Sequence, residues 1–253
     1  MLIGAHVSGS RPLEEAAARG AGLVQVFLSN PQSWQKPIPR QDAAELAASG
    51  LPIYVHAPYL INVASPDNRV RIPSRKILSD TLEAAAAIGA AGVVVHGGHA
   101  GPEEGIEVGA ERWYKALDSA GNAVPVLLEN TAGGGNALLR DVANYGPLWE
   151  GFGDLGVGVC LDTCHAWSAG EDLGTIVERV LAMTGRVDLV HCNDSRDPWG
   201  SGRDRHARLG TGTIPAEAMM GVVRAANAPV VVETPGEAAD HAAEFAWLRD
   251  RLG

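Results

Sequence analysis

The chain has 253 residues, 46% of them hydrophobic, and a formal net charge of −10. That length suits one large α/β unit, and no apolar run approaches the ~20 residues needed to span a bilayer. Three cysteines, odd in number and sparse, speak against a secreted disulfide framework, and the acidic balance speaks against a partner bound by bulk charge alone. The N-terminal stretch MLIGAHVSGS lacks a basic segment followed by a long apolar one, so a cytoplasmic protein without a leader is expected.

Taken in order, β-branched runs and alanine-rich helical segments alternate. Strands are predicted at LIGAHV (2–7), LVQVFLSN (23–30), IYVHAPY (53–59), GVVVHGG (92–98), PVLLENT (125–131), GVGVCLDT (156–163), DLVHCND (188–194) and PVVVETP (229–235). Helices are predicted between them, for example over 73–90 and 214–228. Alternation of this kind gives parallel βαβ units, and eight units in this length fit a single (β/α)₈ TIM barrel over residues 1–253 better than an open sheet. No GxGxxG follows the first strand, and GGGNA (133–137) lacks the Lys-Ser/Thr of a phosphate loop, so it is read as a turn.

Polar residues fall at one end of these strands. His56, His96, Glu129, Asp162, His191 and Glu233 close the third to eighth strands, where a barrel gathers its active site. His165 lies just past the sixth strand, and Asp204 and His206 lie in the loop after the seventh. Carboxylates crowded in one mouth repel one another unless cations neutralise them. Imidazole and carboxylate donors together suit zinc or a neighbouring first-row ion, and nine donors exceed the needs of one. Cys160 should lie one layer below Asp162, and Cys192 should point away from the side His191 faces. All three cysteines are therefore read as structural thiols, although Cys164 is within reach of the mouth. His6 is expected beside the site rather than in it, His99 outside it, and His241 on the surface of the last helix.

Five segments resemble the endonuclease IV family of apurinic/apyrimidinic (AP) endonucleases: HAPYLIN (56–62), LENTAGGG (128–135), CLDTCHAWSAGED (160–172), HCNDS (191–195) and GSGRDRHARLGTGTI (200–214). The resemblance implies a TIM barrel with three zinc ions, manganese being admitted at one position. It implies cleavage of the phosphodiester 5′ to an abasic site in duplex DNA, leaving a 3′-hydroxyl and a 5′ deoxyribose phosphate. It assigns His56, His96 and Glu129 to one ion, and Asp162, His191 and Glu233 to a second that Glu129 bridges. His165, Asp204 and His206 go to the third. It also makes Glu129 the catalytic residue that orients the nucleophile.

Tyr59 and Leu60 match two side chains that enter the duplex in this family, whereas Gln32 in NPQSW stands where an arginine is usual. Arg205, with Arg196, Arg203 and Arg208 in the same loop and the basic run 67–76 after the third strand, is expected to meet phosphates. A monomer is expected. Two rivals remain: a metal-dependent sugar isomerase of the same barrel type, typically with one or two ions and more carboxylates, and a structural zinc protein, whose sites are closed and usually cysteine-rich.

Overall fold

A computed structural model describes residues 1–121, 123–152 and 155–253. Eight parallel strands close into a barrel: β1 (Ile3–His6), β2 (Val24–Val26), β3 (Ile53–His56), β4 (Gly92–His96), β5 (Val126–Glu129), β6 (Val157–Asp162), β7 (Leu189–His191) and β10 (Val230–Val232). β10 closes the ring between β7 and β1. Between β7 and β10, β8 (Asp194–Ser195) and β9 (His206–Ala207) form a small antiparallel pair. Each predicted strand is present but shorter, because the residues beyond its C-terminal end leave the ladder to build the loops of the mouth.

Helices α1 (Pro12–Arg19), α2 (Ala43–Ala48), α3 (Asn68–Ala87), α4 (Ile106–Ala120), α5 (Tyr145–Phe152), α6 (Thr163–Ala169), α7 (Ile176–Thr184), α8 (Ala216–Ala226) and α9 (Ala238–Leu252) connect the strands or follow the last of them. α3 starts five residues before its predicted start at 73. Asp67 caps it by accepting a bond from the Arg69 N–H (2.8 Å), and Pro73 is absorbed inside the second turn.

Two apolar cores result. The larger lies between strands and helices and includes Val55, Val95, Leu128, Leu161 and Cys192. The smaller fills the barrel itself with Leu23, Tyr54, Val94, Leu127, Cys160, Leu189 and Val231. Gly92 and Gly158 leave space for this plug: a Cβ on either would meet the Leu127 side chain, at 3.1 and 2.5 Å.

Side chains on a strand alternate between faces. Two residues above each member of the plug, the same inward face therefore carries Gln25, His56, His96, Glu129, Asp162, His191 and Glu233. Bonds from buried aromatic side chains hold the strand ends beneath this layer. The indole of Trp113 donates to Gly97 O (2.8 Å) and the Tyr145 hydroxyl to Leu128 O (3.0 Å).

Candidate metal centre

Glu129 lies at the centre of the polar layer and is fully buried. Its Oε1 is 2.9 Å from His191 Nδ1 and 3.3 Å from His165 Nδ1; its Oε2 is 3.3 Å from His56 Nε2 and 3.2 Å from His96 Nε2. Glu233 Oε2 adds a contact to His191 Nδ1 at 3.1 Å. Asp204, half exposed at the rim, bridges the last two histidines, 3.1 Å from His165 Nε2 and 3.1 Å from His206 Nε2. All nine predicted side chains thus meet at one mouth. Their donor atoms form overlapping groups within 4.8 Å, among them His56–His96–Glu129, Glu129–Asp162–His191–Glu233 and Asp162–His165–His206.

Charge in this layer is strongly redistributed. Burial alone would raise the Glu129 pKa, but His191, His96 and His165 hold it well below the usual carboxylate range. Glu233 is likewise held low by His191 against its burial, and Asp204 is lowered by His165 and His206. Asp162 goes the other way: burial raises it, with His165 and His206 only partly offsetting the effect. Among the bases, burial opposes protonation, yet Asp162, Asp204 and Glu129 lift His165 well above the ordinary imidazole value. His191 is lifted too, with Cys160, Glu233 and Glu129 beside it, and His206 rises to about 9 through Asp204, Asp162 and Glu233. So dense an interleaving of acids and bases is where perturbed protonation marks a functional site.

Several buried groups hold this layer in place. The Asn193 amide donates to Asp162 Oδ2 (2.6 Å) and Glu233 Oε2 (3.2 Å), while Asn193 Oδ1 accepts from the Glu233 N–H (2.8 Å). Asn130 pairs with the Asp162 backbone in both directions, at 2.8 and 3.0 Å. Asp194 accepts from the N–H groups of Gly210, Gly212 and Ile214, which fixes the loop beyond His206. Gln25 bonds two members of the layer, His191 and Glu233, and His6 beside it. Sequence reasoning did not single out these residues; for Gln25 the signal was its place two residues after Leu23 on an inward face.

Other expectations fare unevenly. His6 lies beside the site as predicted, 3.7 Å from Glu233, its pKa lowered mainly by burial. His99 is exposed and outside it. His241 is a correction: it is buried, not on the surface, because α9 packs over α1. Its Nε2 bonds Thr234 O (2.9 Å), and Nδ1 accepts from Arg19 (2.9 Å). All three cysteines are buried and free, with burial pushing Cys160 and Cys164 up to about 12. Cys160 and Cys164 nonetheless lie within reach of the ligand groups.

Tyr59 is half exposed, with its ring against Phe27 and His96 (5.3 and 5.8 Å between centroids), and Leu60 is half buried. The Tyr59 N–H donates to Pro31 O (3.0 Å), which brings exposed Gln32 alongside. Arg205 is exposed and tied to Asp197 (2.7 Å). Its neighbours are also engaged: Arg196 with His206 O (2.9 Å) and Arg208 with Asp240 (2.8 Å). In the run at 67–76, Arg71 holds Ser65 O (2.6 Å) and Lys76 reaches Asp80 (3.3 Å). Trp199 is exposed at this face, its indole N–H held by Glu171 O (3.1 Å).

Comparison with known proteins places this geometry. The family model described as Xylose isomerase-like TIM barrel matches residues 13–251. A probable endonuclease 4 of Mycobacterium ulcerans (strain Agy99) is 58% identical over 252 residues, covering 100% of this chain and 99% of that protein. A probable endonuclease 4 of Mycobacterium tuberculosis (strain ATCC 25177 / H37Ra) is also 58% identical, over 100% of both chains. Among solved structures, endonuclease IV from Thermus thermophilus aligns with a TM-score of 0.84 at 33% identity, covering 100% of this chain and 99% of that one. A D-tagatose 3-epimerase-like protein aligns with a TM-score of 0.81 over 100% of this chain and 97% of that one, but at 18% identity it shares the fold alone.

Proposed function

The chain belongs to the endonuclease IV family and is an AP endonuclease, a DNA-cleaving hydrolase; from that premise we propose how its mouth recognises and cuts the abasic strand. The observation that carries the proposal is the placement of Glu129, whose two oxygens lie within 3.3 Å of four imidazole nitrogens. The family depends on metal, and this donor set fits it. His206 Nε2 is buried and makes no well-directed hydrogen bond although Asp204 Oδ1 lies 3.1 Å away, the arrangement expected of an imidazole nitrogen and a carboxylate that share an ion.

His56, His96 and Glu129 would hold one zinc, and Glu129, Asp162, His191 and Glu233 a second. His165, Asp204 and His206 would hold a third. When bound, such ions lower the pKa of coordinated water to about 7 and neutralise charge on phosphate oxygens. They also offset the four carboxylates, so the mouth is favourable to a phosphate although the chain is acidic overall. Acids on the outer helices act on DNA only weakly, because the Debye length is about 8 Å at physiological salt.

The chain's own residues divide the remaining work. Glu129 orients the attacking water with a carboxylate kept ionised by its histidines. Asp204, the most exposed of the nine, stands where the scissile phosphate enters. Tyr59 and Leu60 enter the duplex beside the lesion, and Gln32 reaches the same place from the neighbouring loop. Arg205, held by Asp197, meets the backbone. Cleavage 5′ to the abasic site leaves a 3′-hydroxyl and a 5′ deoxyribose phosphate.

The test is incision of a duplex carrying one abasic analogue, before and after strong chelation, with ketose–aldose interconversion assayed in parallel. Loss of incision on chelation and its return with zinc are expected. Incision that survives full removal of metal, or sugar interconversion without incision, would overturn the reading.

A further inference from the structure

His191 is held differently from His56, His165 and His206. His56, His165 and His206 each turn Nδ1 toward a backbone carbonyl, of Ala57 (2.7 Å), Asn130 (2.9 Å) and Glu233 (3.4 Å). A carbonyl can only accept, so in these three the proton sits on Nδ1 and Nε2 keeps its lone pair. His191 does the reverse. Its Nε2 faces Oε1 of Gln25 at 2.8 Å, while its Nδ1 faces Glu129 (2.9 Å) and Glu233 (3.1 Å).

Gln25 is fully buried on β2, and each of its polar atoms is committed. Its oxygen takes the His191 bond. Its nitrogen has two protons, one directed at Glu233 Oε1 (2.6 Å) and one at His6 Nδ1 (3.1 Å). The amide cannot be turned over, because its oxygen would then face the Glu233 carboxylate with no proton between them. The network therefore has one consistent reading: His191 is protonated on Nε2, and Glu233 Oε1 is occupied by the amide. The atoms left facing the mouth are His191 Nδ1 and Glu233 Oε2, 3.1 Å apart. A side chain has taken over the part that the backbone plays for His56, His165 and His206, and it sets a carboxylate at the same time.

We propose that Gln25 is a positioning residue that presents His191 Nδ1 and Glu233 Oε2 together to one divalent ion, the ion also bordered by Asp162 and Glu129. It does not itself ligate, since its only acceptor atom is used by His191. The inference rests on the metal reading above.

The decisive variant is Gln25→Met, close in shape and without hydrogen bonds, tested on the full chain by zinc titration against a competing chelator. One ion is expected to bind 10- to 100-fold more weakly, the usual effect of removing such an outer partner, while the others bind as in the parent. Circular dichroism of the metal-free protein should be unchanged. Selective loss is informative because a general packing defect would weaken every ion. Nitrogen-15 NMR of the zinc-loaded parent supplies a second reading that needs no variant: the His191 proton should reside on Nε2. A proton on Nδ1, or a Gln25→Met protein that binds every ion at parental affinity, overturns the role of Gln25. If the parent itself took up no zinc, the metal reading would fail first.

Discussion

Replacing Glu129 by glutamine removes one negative charge at nearly constant volume, in a site where burial leaves water no part in compensation. Four imidazole nitrogens lie 2.9 to 3.3 Å from this carboxylate. Removing one partner from a buried charged arrangement typically costs about 3–5 kcal/mol. At about 1.4 kcal/mol per power of ten, an ion sharing Glu129 should bind roughly two to three and a half powers of ten more weakly. Chelator-competition titration of Glu129→Gln measures that directly, and circular dichroism confirms the fold. A second stage separates ligation from catalysis. At zinc concentrations high enough to refill the site, incision of an abasic duplex should stay depressed by ~10²-fold or more, the usual contribution of a positioned general base. A Glu129→Gln protein with parental zinc affinity and the full cleavage rate would refute both roles.

Two further outcomes follow from the rim and the scaffold. Tyr59→Ala should weaken binding to an abasic duplex by about 1–3 kcal/mol, the usual worth of one aromatic stack on a base. Tyr59→Phe should leave binding unchanged up to pH 10, because burial and neighbouring carboxylates push the phenol up to about 12 and keep it neutral; fluorescence anisotropy at fixed salt tests both, and an unaffected alanine variant would remove Tyr59 from the interface. Glu104, gripped by Arg112 (2.5 Å) and by the Gly101 N–H (2.7 Å), is lowered to about 2. A depressed acid stabilises the fold above its unfolded value near 4.5 and loses that effect as pH falls toward 2. Urea midpoints of Glu104→Gln should therefore lie below the parent's at pH 7 and converge with them as pH falls from about 4.5 toward 2; a gap that ignores pH would contradict this account.

Much of this molecule was legible in its sequence for one geometric reason. Eight β-branched runs separated by alanine-rich segments specify a barrel, and a polar residue that ends such a run must emerge at the mouth. His56, His96, Glu129, Asp162 and His191 could be placed on that ground alone. Glu233 lies one residue past β10 yet keeps the inward phase. The resemblance to a known family then divided them among ions, which alternation cannot do. What escaped the sequence depends on which helix lies against which. His241 sits in a helix rich in charged residues, and only the packing of α9 over α1 buries it against Arg19 and Thr234. The basic run at 67–76 counts four cations, but counting does not reveal that Arg71 and Lys76 already have partners in Ser65 and Asp80.

Gln25 escaped for a different reason. A search for metal chemistry looks for side chains that ligate, and a glutamine inside an apolar run reads as an interruption. Alternation alone gives it the phase of Leu23 below, and hence a place among the charged residues. Placed there, a neutral amide has a property that no charged neighbour shares: it can donate to a carboxylate and accept from an imidazole at once, adding no charge to a layer already crowded with it. If Gln25 plays this part, the ion sites of this mouth are specified by two kinds of residue, those whose lone pairs face the mouth and those that decide which lone pairs do. The second kind is written in the same inward phase as the first.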